Sequence, residues 1–179
     1  MFSPLPNKKY EIIYADPPWF LGNGNKTKPN GIGGNKVGRH YQTVPTDELS
    51  KIPIRDIAEK DCLLFMWAIS PMLGDALKLG VEWGFNYKTV AFVWDKQITN
   101  CGNYTLPQIE QVLLFKRGKI PTPRGIRNTR QFYSERKTKH SKKPHEIRKR
   151  IEQMFSSQSK IELFARERFE GWDAWGNEV

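Results

Sequence analysis

Cysteine is nearly absent from this chain: Cys62 and Cys101 are the only two among 179 residues. They lack Cys-x-x-Cys spacing and Cys62 sits in an apolar run, so two reduced thiols are expected rather than a disulfide framework or a zinc site. His40, His140 and His145 are scattered among basic residues without ligand spacing, and no metal is expected. No stretch approaches the roughly 18 consecutive apolar residues of a membrane span. The opening MFSPLPNKKYE lacks the basic, apolar and small-residue order of a signal peptide. These absences predict a soluble chain of the cytoplasm with no membrane partner. Repeats and interdomain linkers are missing too, which predicts a single domain over 1–179. Its 38% hydrophobic and 12% aromatic content is enough to build one core.

Acidic residues are scarce in one place. Residues 116–150 hold 14 Lys or Arg and only two acids, Glu135 and Glu146, so this segment carries +12. The whole chain carries +10, which leaves −2 for the rest. A cationic surface confined to one segment is the electrostatic footprint of a polyanion partner, with a solubilising loop as the plain alternative. Arg127, Arg130 and Arg136 are the expected contacts to nucleic acid.

Five short apolar runs read as strands: Tyr10–Ala15, Cys62–Ala68, Thr89–Trp94, Gln111–Phe115 and Lys160–Ala165. Most are continuous rather than alternating, as in strands covered on both faces of a mostly parallel sheet. Helical patterns fall between them. Ser70-Pro71 reads as a cap and first turn, with Met72, Leu73, Ala76 and Leu77 on one face. Pro144 opens a second helix with Ile147, Ile151, Met154 and Phe155 on one stripe. Residues 43–58 hold another, broken near Pro53. Alternating strands and helices predict an α/β fold with helices on both faces of the sheet. Residues 20–41 and 117–143 break the rhythm and are expected to be flexible functional loops at the sheet's carboxyl edge, bordering one site.

The glycines of the first loop do not make a nucleotide motif. In Gly22-Asn23-Gly24-Asn25-Lys26-Thr27, Asn25 stands where a P-loop needs glycine. Gly31-Ile32-Gly33-Gly34 lacks both a preceding strand and the third glycine of a dinucleotide fingerprint. The chemistry is concentrated instead at Asp16-Pro17-Pro18-Trp19. The first strand delivers a carboxylate to the sheet edge, and two prolines fix a rigid turn that presents carbonyls without competing donors. Trp19 adds an aromatic face. An adenine amino group is a poor nucleophile because its lone pair is delocalised into the ring. Acceptors facing its two N–H bonds, here the Asp16 carboxylate and the Pro17 carbonyl, favour the geometry in which that pair localises. Trp19 could stack on the base. The plain alternative is an acid–proline turn with Trp19 in the core.

These four residues resemble the signature of the N6-adenine methyltransferases of the MT-A family, typified by the catalytic subunit of the eukaryotic messenger-RNA adenosine methyltransferase. Small bacterial and phage members share it. His40-Tyr41-Gln42-Thr43, the strand Glu110–Phe115 ending in Lys116-Arg117-Gly118, and His140-Ser141-Lys142-Lys143-Pro144 resemble further family segments. So do Lys160–Arg166 and Gly171–Glu178, so the likeness runs from residue 10 to 178 in the family's order. It implies a Rossmann-like methyltransferase that uses S-adenosylmethionine, in permuted order with the catalytic half first. Asp16, Pro17, Pro18 and Trp19 would be catalytic. Lys143 would hold the cofactor's carboxylate, and Arg166 and Asn177 its ribose. Glu178 would lie near its adenosine end, and Asp16 and Glu162 would lie beside the cofactor. Trp19, Tyr41 and Glu110 would line the substrate-adenine pocket. Only nine residues precede Tyr10, whereas larger relatives use chain there to hold the cofactor's adenine. Phe169 stands where some relatives carry Asn. The expected partner is nucleic acid, DNA before RNA, in a bacterial or phage-infected cell, and a homodimer is compatible with the chain. The alternatives are an RNA adenosine methyltransferase and an inactive, nucleic-acid-binding partner subunit.

Overall fold

In the computed structural model, residues 3–20, 43–102, 104–138 and 142–179 are described. Strand β1 (Tyr10–Ala15) leads to two single-turn helices, α1 (Thr46–Leu49) and α2 (Ile54–Ile57), and to β2 (Ala58–Ala68). A 3-10 turn at Ser70–Met72 runs into α3 (Leu73–Glu82), then β3 (Asn86–Asp95) and β4 (Ile109–Arg117) follow. The chain closes with β5 (Phe132–Ser134), α4 (His145–Met154), β6 (Lys160–Leu163) and β7 (Asp173–Trp175).

All five expected strands form. The last ends two residues early because Phe164 turns into the left-handed region at φ 60°, which an extended strand cannot accommodate. Ser70 is not a cap. It opens the 3-10 turn, and no side-chain hydrogen bond caps that turn. The basic segment, expected to be irregular, contributes β5 at one sheet edge.

The sheet order is β5-β3-β4-β2-β1-β6-β7. β1 runs parallel to β2 and β6, β6 to β7, and β3 to β5, while β4 is antiparallel to both β2 and β3. Six strands therefore point one way and only β4 is reversed. The short helices and α3 cover one face, where Leu49, Ile54, Leu79 and Trp83 pack with Ile13, Leu64, Met66 and Phe115. Helix α4 covers the other, where Ile147, Ile151 and Phe155 meet Ile12, Phe65, Trp67 and Val112. Burial on both faces is why the strands read as continuous apolar runs. Strand β1 has β2 on one side and β6 on the other, so the chain builds outward from it in one direction first and in the other last. Ligands of open α/β sheets bind at such a switch point, beyond the carboxyl ends of the strands. Among the described residues no helix is long and apolar enough to cross a membrane.

One buried charge secures this frame. Lys160, 5% exposed at the start of β6, donates to the carbonyls of Phe155 (3.2 Å), Ser156 (3.0 Å) and Gln158 (2.7 Å). These carbonyls belong to the C-cap of α4 and the turn that follows it, beyond the reach of helical N–H groups. Lys160→Met strands them, and is expected to lower the unfolding free energy by about 1–3 kcal/mol, seen as a lower urea midpoint at unchanged slope.

Candidate active site

Asp16 sits where β1 ends, its N–H directed at the Leu163 carbonyl of β6 at 3.4 Å. The two prolines then turn the chain over the sheet edge. Their carbonyls are not open, contrary to the expectation of a donor-free stretch: Trp19 N–H donates to Pro17 O and Val44 N–H to Pro18 O, both at 2.8 Å. Each carbonyl keeps one lone pair. The Trp19 indole donates to the Trp67 carbonyl at 3.1 Å, and the ring is 6% exposed within the core. Its surroundings fit packing under the turn rather than stacking on a base.

Asp16 is the end of a chain of alternating charges that runs from the half-buried Asp16 and Lys143 to the buried Glu110 and Lys96. Lys143 Nζ lies 3.0 Å from Asp16 Oδ1 and 3.2 Å from Glu110 Oε2. Lys96 Nζ lies 3.4 Å from Glu110 Oε1. The topology makes this meeting possible: β4 is reversed, so its second residue, Glu110, starts at the same sheet edge where β1 and β3 finish. Lys143 comes from the turn that Pro144 closes at the start of α4, and its ammonium stands 5.4 Å over the Trp67 ring. Burial pushes the Asp16 carboxyl above the usual carboxylate range, against the pull of Lys143. Burial acts the same way on Glu110, yet Lys143 and Lys96 override it and hold that carboxyl below its usual range. The two carboxylates in turn outweigh burial at Lys143 and hold it firmly protonated. Both Glu110 oxygens thus face an ammonium, Oε1 that of Lys96 and Oε2 that of Lys143.

Beyond the ends of β1 and β6 opens a cleft of about 1080 Å³, lined by Asp16, Pro18, Phe164, Arg166, Asn177 and Glu178. Arg166 Nε lies 3.6 Å from Glu178 Oε1 across it. Gly176 allows this closure: a Cβ there would fall 2.5 Å from the Ala165 carbonyl oxygen, so the tail after β7 can lie against the Phe164–Arg166 turn only as glycine. The short N-terminal extension also takes part. Pro4 and Leu5 line the cleft, and the Trp175 indole donates to the Ser3 carbonyl at 2.9 Å.

The structure thus brings Asp16, Arg166, Asn177 and Glu178 to one cleft and joins Asp16, Lys143 and Glu110 in one cluster. Lys143 lies outside the cleft wall. It lines a smaller cavity of about 190 Å³ with Trp94, Arg136, Lys137 and Lys142. Glu162 pairs in register with Tyr14 on the α4 face, where Arg148 Nε binds its carboxylate at 2.7 Å. That guanidinium stacks 3.4 Å from the Phe169 ring centroid. Arg127, Arg130 and Arg136 are exposed. Tyr41 lies outside the described residues. Sequence reasoning missed Lys96 and Arg148. No local pattern marks them, since each acquires its role only by facing an acid from another strand.

Residues 10–178 match the MT-A70 family. The chain is 46% identical over its whole length to the Type II methyltransferase M.MunI of Mycoplasma sp, of which it covers 82%. It is 27% identical to the N(6)-adenine-specific methyltransferase METTL4 of Mus musculus, with 99% of this chain and 39% of that protein aligned. It is 30% identical to the N6-methyladenosine RNA methyltransferase MTA1 of Pyricularia oryzae, again over its full length and 49% of that protein. The chain therefore spans most of the first relative and half or less of the other two. Its sheet is that of a Rossmann-like methyltransferase with the acidic strand first and β6 and β7 last. A match that starts at the first strand and runs past the last leaves no part of this sheet outside it, and the chain belongs to the MT-A70 family.

Proposed function

We propose that this protein transfers a methyl group from S-adenosylmethionine to the N6 amino group of adenine in DNA, in the cytoplasm of a bacterial or phage-infected cell. The observation that carries this is Asp16: a carboxylate at the switch point of the sheet, in the wall of a large cleft, held by a half-buried lysine. The cleft fits the cofactor in size and chemistry. Arg166, Asn177 and Glu178 offer donors and acceptors for ribose hydroxyls, and Phe164, Val44, Ile52 and Leu5 offer apolar surface for a purine. Two of the three Lys143 N–H bonds face Asp16 and Glu110, which leaves one for a ligand carboxylate.

When bound, S-adenosylmethionine supplies an electrophilic methyl group on sulfur. The chain's own residues prepare the acceptor. Asp16 takes a hydrogen bond from the adenine amino group and draws its lone pair out of the ring. The Pro17 carbonyl, with one lone pair left, is the second acceptor. As the N6–methyl bond forms, one N6 proton must leave, and the raised basicity of Asp16 suits it to receive that proton. Lys143 holds the carboxylate in place and balances its charge. Glu110 shares the Lys143 ammonium with Asp16 and so fixes its position.

DNA is favoured because the likeness to a type II methyltransferase, at 46%, exceeds the 30% likeness to one named for RNA. Incubating the protein with methyl-labelled S-adenosylmethionine and either plasmid DNA or RNA tests the assignment. Label in DNA adenine supports it, label in RNA alone redirects it, and none in either defeats it. The exposed arginines of the basic segment should serve affinity rather than chemistry. Neutralising Arg127, Arg130 and Arg136 together is expected to weaken DNA binding and reduce the log–log salt slope by about one unit per lost phosphate contact. An unchanged slope would remove them from the interface.

A further inference from the structure

Between β3 and β4 the chain forms a hairpin on the sheet edge that carries Asp16, described over residues 96–102 and 104–108. Its arms are tied together: Lys96 N–H donates to Gln108 O and Asn100 N–H to Pro107 O, each at 3.0 Å. The Asp95 carboxylate receives the Gln97 N–H at 2.9 Å, the Gln108 amide at 2.6 Å and the Ser134 hydroxyl at 2.8 Å, pinning the base of the hairpin to β5. Near the tip, a Cβ on Gly102 would fall 2.3 Å from Thr105 O and 2.8 Å from Pro107 Cδ, so this close approach requires glycine.

On this braced support stands the most exposed large hydrophobic side chain among the described residues. Tyr104 is 99% exposed and Leu106 is 63% exposed. A lone loop aromatic would be unremarkable, but three features single this one out. The hairpin base belongs to the active site, because Lys96 pairs with Glu110, which meets Lys143 and through it Asp16. No acidic residue occurs between Asp95 and Glu110, so nothing on the hairpin repels phosphate. Tyr104 is only six residues from Glu110, so the two are at most about 20 Å apart.

A base delivered to Asp16 must leave its stack, and the vacated space favours an inserted apolar side chain. Trp19 is buried and cannot fill it. We propose that Tyr104, backed by Leu106, is the wedge that enters duplex DNA and occupies the gap left by the target adenine. This rests on the assignment as a DNA adenine methyltransferase.

The test compares wild type, Tyr104→Ala, Leu106→Ser and Tyr104→Phe on two short duplexes built around a site that wild type methylates in plasmid DNA. One duplex is fully paired, and the other places an abasic position opposite the target adenine. Tyr104→Ala is expected to lose roughly 10–100-fold in kcat/KM on the paired duplex and far less on the duplex already opened. Leu106→Ser should lose less, and Tyr104→Phe should stay close to wild type. With 2-aminopurine at the target position, wild type should raise its fluorescence and Tyr104→Ala should not. Equal losses on the two duplexes, or full activity of Tyr104→Ala on the paired one, would overturn the wedge. So would sedimentation showing that the substitution splits a dimer, since the tip would then be seated against a second copy of this chain. If wild type methylates no site in plasmid DNA, the enzymatic assignment falls and takes the wedge with it. If only the variants fail selectively on paired DNA, both stand.

Discussion

Asp16→Ala is expected to lower kcat for adenine methylation by about 10²–10³-fold while leaving DNA affinity and folding nearly intact. A charge-bearing acceptor aimed at the reacting group acts mainly in the transition state, and removing one such group costs about that much. The fold should tolerate the change because Lys143 keeps a second carboxylate, Glu110, at 3.2 Å. Initial rates with labelled cofactor, taken beside a thermal melt, check both halves of this expectation. A rate close to wild type in a folded variant would remove Asp16 from the chemistry. The wild-type rate should also depend on pH in a defined way. Asp16 acts as a carboxylate, so kcat falls as pH drops through its pKa. Burial raises that pKa, so the acid limb should lie above the ordinary aspartate value near 3.9.

Lys143→Met should have the largest combined effect. It leaves Asp16 and Glu110 buried side by side without the cation they share. Removing one partner of a buried ionic cluster typically costs about 3–5 kcal/mol. The Asp16 pKa should rise further, because the pull of Lys143 is lost, and the acid limb of the rate profile should move to higher pH. The stability penalty should itself depend on pH. Glu110 has its folded pKa lowered by Lys143 and Lys96, so its contribution in wild type is present above the unfolded pKa and fades as pH falls through the folded one. The variant lacks most of that contribution, and the gap between the two proteins should therefore be widest near neutrality and narrow in acid. Urea titrations at two pH values measure this. Adding Glu110→Gln to Lys143→Met removes the like-charge clash and should recover stability without recovering activity. A pH-independent penalty would mean that Lys143 acts through packing alone.

The parts legible in the sequence were those carried by local pattern. Tyr10–Ala15 is a strand with the bounds its apolar run indicates, because burial on both faces demands an uninterrupted run. Asp16 stands at its end because a proline pair cannot continue a central strand. The helix after Pro144 follows from the spacing of Ile147 and Ile151. The edge strands Phe132–Ser134 and Asp173–Trp175 escaped notice because three residues, largely exposed, show no period. Trp19 could be assigned either way, since an aromatic ring after a buried strand can pack inward or face a ligand. Glu162 posed the same difficulty: in a strand covered on both sides, the residues alone do not say which face each one takes.

By itself, then, the sequence determined the α/β alternation, the acidic turn at the end of the first strand, the cationic segment and the family. The first three follow from periodicity, backbone restriction and net charge, which act over a few residues or over composition, and the family follows from the likeness of its motifs. Only the tertiary structure decided which charges meet. Asp16, Lys96, Glu110 and Lys143 come from four separate parts of the chain and converge because β4 runs against its neighbours. It also decided that Trp19 is core, that Glu162 pairs with Arg148, and that Tyr104 is held out on a braced hairpin. Burial and charge pairing are properties of distances across the fold, and no local pattern encodes them.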